Sequence, residues 1–171
     1  MPSGKSVAVA KSTMAVTPTP DWNRWSARPS DKGELWTRDG INLNELSFFA
    51  HIGNGETLYR NRNQSDSPLP KFKSGMLPTD LVDLFEASNR IVLKTPLFTI
   101  DSIEPATLAG HDGVRFSYHY VVEGDQINRK GEGVAANVGG KLYLVNFVAP
   151  EIYYYDRDIA NFRVMTSSIT F

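Results

Sequence analysis

Leu142-Tyr-Leu-Val-Asn-Phe-Val-Ala-Pro150 decides how this chain is read. Both alternating sets of its residues are apolar or aromatic apart from Asn146. A strand with two apolar faces is covered on both, which places it in the middle of a sheet. Gly139-Gly140 turns the chain into it from residues 127–138, a more polar strand interrupted by glycines. Further upstream, Val114, Phe116, Tyr118, Tyr120 and Val122 alternate with Arg115, Ser117, His119 and Val121, so one face of that strand is core. His111-Asp-Gly113 is the predicted turn before it, and residues 97–108 read as another strand through Phe98, Ile100 and Ile103, weakened on its outer part by Pro105. Beyond Pro150, three consecutive tyrosines lead to a short helix over 156–165, where Ile159 and Phe162 fall three apart, and residues 167–171 read as a closing strand.

Working outward to the N-terminal half, residues 5–16 predict one strand with Val7, Val9, Met14 and Val16 inward, ended by Pro18 and Pro20. Trp22 and Trp25 are placed to pin the following Pro- and Ser-containing loop to the body. Asp39-Gly40 signals a two-residue hairpin between 35–37 and 41–43, and the apolar phase slips near Asn44-Glu45. Residues 61–75 are polar around a central Phe72 and predict a surface loop. Pro78 suits the first turn of a helix, Asp80 and Asp83 suit its positive end, and Leu81, Leu84, Phe85, Ser88, Ile91 and Val92 recur at helical spacing before Pro96 forbids continuation.

The 171 residues fit one domain spanning 1–171, with 1–6 expected to be a loosely held start. A formal charge of −1 with scattered Lys and Arg gives no concentrated basic field, which argues against nucleic acid. Cysteine is absent, which removes disulfides and thiolate chemistry. No apolar run approaches the ~20 residues that a membrane-spanning helix needs. Gly4-Lys5-Ser6 lacks the first glycine and the preceding strand of a phosphate-binding loop. Gly131-Glu-Gly133 lies inside an antiparallel hairpin, where glycines allow a close approach rather than dinucleotide binding. His51, His111 and His119 lack metal-ligand spacing, and no residue set calls for a metal or a cofactor.

Two residue sets remain as candidate sites. Tyr153, Tyr154 and Tyr155 cannot all face one core, so at least one ring is expected at the surface, and with Trp22 and Trp25 they form the candidate contact for a partner or ligand. The alternative is a hydrolase using Arg115, Ser117 and His119, with Asp112 or Glu132 orienting the histidine. Spacing opposes it: side chains two apart on a strand are separated by roughly 6 to 7 Å, too far for a nucleophile and its base. A third reading is a structural subunit that forms homo-oligomers through an exposed strand edge.

The order of elements, with Trp36-Thr-Arg-Asp-Gly40, Leu69-Pro-Lys-Phe72, Met76-Leu-Pro78, Gly110-His-Asp-Gly113 and Val148-Ala-Pro150, resembles the Mog1/PsbP-like fold, and in particular a group of proteobacterial envelope lipoproteins of that shape. The resemblance covers residues 7–171 and implies an α+β fold, an α/β/α sandwich with a mostly antiparallel sheet. It implies a non-catalytic binding or assembly module of the periplasm or cell envelope, whose partner is an envelope protein or a small ligand. It also implies membrane attachment only through a lipid anchor ahead of these residues.

Overall fold

The computed structural model describes residues 1–62 and 65–171. A seven-stranded sheet forms its centre, in the order β3 (Asn23–Arg24), β4 (Gly33–Thr37), β5 (Glu45–Ile52), β9 (Lys141–Pro150), β8 (Arg129–Val138), β7 (His111–Tyr120), β6 (Phe98–Leu108). Every neighbouring pair is antiparallel. The chain leaves β5, passes through α1 (Pro78–Val92), and re-enters at the far edge as β6. From there it winds back strand by strand until β9 closes against β5. The doubly apolar strand read from the sequence is therefore the fourth of the seven.

Each face of the sheet has its own core. Phe49, Leu144, Phe116 and Tyr118 point to one side, under Leu81, Leu84 and Phe85 of α1. Trp36, Phe48, Val145 and Phe147 point to the other, where α2 (Asp156–Ser167) supplies Phe162 and Met165 and the N-terminal segment supplies Val9, Met14 and Trp22. Pro78 begins α1 as expected, and the backbone N–H of Leu77 donates to Asp80 at 2.7 Å, satisfying one of the free donors at this end.

Several expected boundaries move. Residues 5–16 are not one strand but a hairpin of β1 (Val7–Ala8) and β2 (Ala15–Val16), because Ala10 and Lys11 adopt left-handed backbone angles between them; of the expected inward set Val9, Met14 and Val16 are buried and Val7 is half-buried. Asp39-Gly40 does not make a two-residue hairpin. The connection from β4 to β5 runs over residues 38–44 and is organised by Asn44, whose Oδ1 accepts from Thr37 Oγ1 at 2.8 Å and from the backbone N–H groups of Arg38 and Asp39. The turn before β7 falls on Ala109-Gly110, both in left-handed conformation, and His111, Asp112 and Gly113 are already strand. Residues 167–171 form no strand, since α2 runs on to Ser167 and only Thr170 bridges to Ala15. Within 61–75, residues 63 and 64 lie outside the described residues, and Phe72 is core rather than surface, exchanging backbone hydrogen bonds of 2.8 Å with Gly55 and Glu56.

Gly131 and Gly133 pair with Tyr118 and Phe116 across β8 and β7, and the two aromatic rings lie directly over the glycine backbone. A Cβ would fall 2.2 Å from the Tyr118 ring at Gly131 and 2.4 Å from the Phe116 ring at Gly133. The glycines are therefore the space into which the α1-side aromatics fold. Gly133→Ala is expected to destabilise the protein by about 1–3 kcal/mol through overpacking; urea unfolding measures it, and an unchanged midpoint would show that the ring is free to move aside.

Candidate functional site

On the α2 face, α2 covers the middle of the sheet and leaves β6, β7 and the start of β8 open at one end. A groove of about 800 Å³ lies there, lined among others by Asp101, Ser117, His119, Lys130, Glu151 and Tyr155. Ser117 and His119 of one candidate set and Tyr155 of the other thus border one depression. A β-bulge shapes it: Ile100 pairs with Tyr118 and Ser102 with Ser117, leaving Asp101 as the extra residue. The bulge places Asp101 and Ser102 on the same face, where a regular strand would alternate them. As a result His119 Nδ1 meets Asp101 at 2.8 Å, and Ser117 Oγ is hydrogen-bonded to Ser102 Oγ.

This geometry does not assemble a hydrolytic relay. Neither acid anticipated for His119 is beside it: Asp112 pairs with Thr107 at the far end of β7, and Glu132 is committed to Arg115 and to Arg163 at 2.8 Å. Asp101 supplies an acid, but Ser117 bonds to Ser102 rather than to His119, so the nucleophile lacks a base. The Arg115 guanidinium is spent on holding β7 to β8 through Glu132. Among the described residues no group of three or more His, Asp or Glu is arranged to hold a metal ion, and no helix is long and apolar enough to cross a membrane.

The turn at residues 151–155 forms one wall of the groove. Tyr155 points inward, its ring 6.1 Å from that of Phe147, and burial pushes its hydroxyl up to about 12. Tyr153 is 63% exposed, Ile152 beside it 85%. Tyr153 has φ 74° and ψ −59°, a strained turn conformation for any residue with a Cβ. The strain is held from below. Arg157 lies 5.6 and 5.2 Å from the ring centres of Tyr153 and Tyr154, bonds to Asp39, and donates to the fully buried Asp158 at 2.6 Å. Asp158 also binds Arg38, so one buried carboxylate ties the β4–β5 turn to the start of α2. Lys130 and Glu151 close the other side at 2.9 Å.

The tryptophans do not join this surface. Trp22 is 1% exposed and packs edge-on to Phe147 with ring centres 6.4 Å apart, so it presents no ring to a partner and its place in the candidate contact is withdrawn. Trp25 is 42% exposed but follows β3, at the opposite edge of the sheet from β6 and β7.

A second cavity, of about 760 Å³, opens on the α1 face between the end of α1 and the same end of the sheet. Its floor is polar: Tyr118 OH donates to Asn146 Oδ1 at 2.7 Å, Tyr59 OH donates to Asn89 Oδ1 at 3.0 Å, and Glu45 lies beside Tyr120. Burial pushes the Glu45 carboxyl up to about 7, against the opposing pull of Arg129. The sequence pattern flagged none of these residues as a site. Asp101 did leave a trace, because Phe98, Ile100 and Ile103 step by two and then by three, as an inserted residue requires.

No family model and no curated protein matches the chain. Its shape, by contrast, is similar to solved structures. Against the solution structure of cyanobacterial PsbP (CyanoP) from Synechocystis sp. PCC 6803 the TM-score is 0.61 at 16% identity, covering 96% of this chain and 90% of that one. Against a crystal structure from Bacteroides thetaiotaomicron VPI-5482 it is 0.51 at 9% identity, covering 91% of this chain and 44% of that one. LpqN, involved in cell envelope biogenesis of Mycobacterium tuberculosis, aligns at 0.49 with 16% identity over 97% of this chain and 88% of its own. The chain therefore has the PsbP/Mog1-like α+β fold, and at these identities the likeness speaks for the fold alone.

Because the folded pKa of Glu45 is raised, the folded state holds a proton that the unfolded chain has released, so stability is greatest below about pH 4.5 for this group and falls as pH rises toward about 7. Glu45→Gln is expected to remove this dependence and to exceed the wild type at pH 8 by up to about 3 kcal/mol. Urea unfolding of both proteins at pH 5 and pH 8 measures it; parallel pH profiles would contradict the assignment.

Proposed function

We propose that this chain is a non-catalytic binding or assembly module of the cell envelope, and that it meets its partner through the turn at residues 151–155. The observation that carries this reading is Tyr153: a large, exposed ring on a strained backbone, next to the exposed Ile152 and braced by Arg157. Aromatic side chains held rigid before binding lose little entropy on contact, which is what an interface anchor requires. The envelope placement rests on the sequence resemblance. The non-catalytic assignment is supported by the Ser117 hydroxyl being bonded to Ser102 rather than to a base.

The alternative of a homo-oligomer built through a strand edge finds less support. The open edge of β6 carries Pro105, which has no N–H to offer a further strand, together with the bulge at Asp101 and the charge of Glu104. Such features discourage edge-to-edge pairing.

The test compares capture from native cells by the wild type and by two variants. Ile152→Ser combined with Tyr153→Ala is expected to lower recovery of the wild type's partner by about tenfold or more, as loss of an anchor does. Tyr153→Gly is expected to lose the partner while stability is unchanged or raised by up to about 1 kcal/mol, because glycine relieves the left-handed strain. Equal recovery by all three proteins would overturn the assignment of this surface.

A further inference from the structure

The cavity on the α1 face contains a charge without a counterpart. Arg28 lines it, and two of the three nitrogens of its guanidinium, Nε and Nη2, are shut off from solvent with no acceptor within hydrogen-bond distance among the described residues. Arg28 as a whole is half-buried, and the two nitrogens in that condition bear the cost of desolvation without the return of a hydrogen bond. Arg60, Arg62 and Lys94 also line the cavity, and Glu45 is the one acid among the lining residues. Arg60 is already paired with Asp31 at 3.4 Å, so among the described residues Arg28, Arg62 and Lys94 stand against one carboxyl, an excess of positive charge that favours anions.

The remaining walls set the size and character of such an anion. Leu35, Ile91 and Val148 are apolar, and a volume of about 760 Å³ falls within the ~300–1,000 Å³ of small-molecule sites, which inorganic phosphate would leave largely unfilled. A guanidinium fork matches a carboxylate in geometry as well as in charge. We propose that this cavity binds a small organic carboxylate, with the carboxylate on Arg28 and an apolar body along Leu35, Ile91 and Val148. The site is distinct from the turn at 151–155. Glu45, Asn146 and Val148 face α1 with Tyr118 and Tyr120, whereas Ser117, His119 and Lys130 face the α2 side, so the two surfaces lie back to back across the sheet.

The experiment titrates the full chain with 4-phenylbutyrate, 4-phenylbutanol and inorganic phosphate and follows amide shifts by NMR. Saturable shifts at Arg28, Tyr59 and Val148 are expected with 4-phenylbutyrate, at an affinity at least about tenfold above that for the alcohol, with phosphate weaker still. Arg28→Gln is expected to bring the acid down to the affinity of the alcohol, and Arg28→Lys to restore part of the difference. The Ile152→Ser, Tyr153→Ala protein is expected to bind as the wild type does, which separates this proposal from the partner surface. Equal affinity for acid and alcohol, shifts confined to other residues, or no saturable shift up to the solubility limit of 4-phenylbutyrate would each overturn it.

Discussion

The structure depends on β9 being apolar on both faces. A strand of that kind obliges the fold to cover the sheet twice, and the chain does so with α1 on one side and with α2 and the N-terminal hairpin on the other. The covers are shorter than what they cover. Ten-residue strands span about 33 Å, whereas the fifteen residues of α1 span about 22 Å and the twelve of α2 about 18 Å. At one end of the sheet the cover is incomplete, although the end of α1 reaches β6 there through the 2.8 Å bond from Arg90 to the Phe98 carbonyl, and both cavities lie at that end, sharing Tyr118 in their walls.

What keeps that end from collapsing is polar rather than apolar. On the α2 side, Asp158 is buried with Arg38, Arg157 and Asn44 around it, so the turn after β4 and the start of α2 form one unit. A buried carboxylate of this kind is tolerated because every side is met by a donor. Its consequence at the surface is the fixed position of Arg157, which in turn braces the tyrosine turn. On the other face, hydrogen bonds from Tyr118 to Asn146 and from Tyr59 to Asn89 hold the cavity floor open where apolar side chains would have closed it.

The parts of this design that follow strict alternation were legible in the sequence. The inward set of β7, the central place of β9 and the α1 face of Leu81, Leu84, Phe85 and Ser88 all come from residue-by-residue patterning, although Val92, expected on that face, is exposed and Val82 is buried in its stead, and the glycines of β8 were readable as points of close approach. Features that depend on a side chain reaching across the fold were not. Asn44 replaces the expected Asp39-Gly40 turn by capturing three donors, which no local rule announces. Trp22 and Trp25 look alike in sequence, yet one fills the core against Phe147 and the other lies near an edge. Of the tyrosines, the exposure of at least one was predicted by number alone, while the strain at Tyr153 and the convergence of that turn with Ser117 and His119 required the bulge at Asp101 and the path of α2. Glu45 and Arg28 were silent, since a single charged residue in a half-buried position carries no periodic signature.

Amide hydrogen exchange tests the central claim, that the two covers leave one end of a continuous sheet open. The slowest exchange is expected at Leu144, Val145 and Phe147 in β9 and at Val134 and Ala135 in β8, between the two cores. Tyr120 and Lys130, in the same hydrogen-bonded ladder but at the incompletely covered end, are expected to open at a free energy lower by at least about 2 kcal/mol. Uniform protection along β7, β8 and β9 would contradict the account.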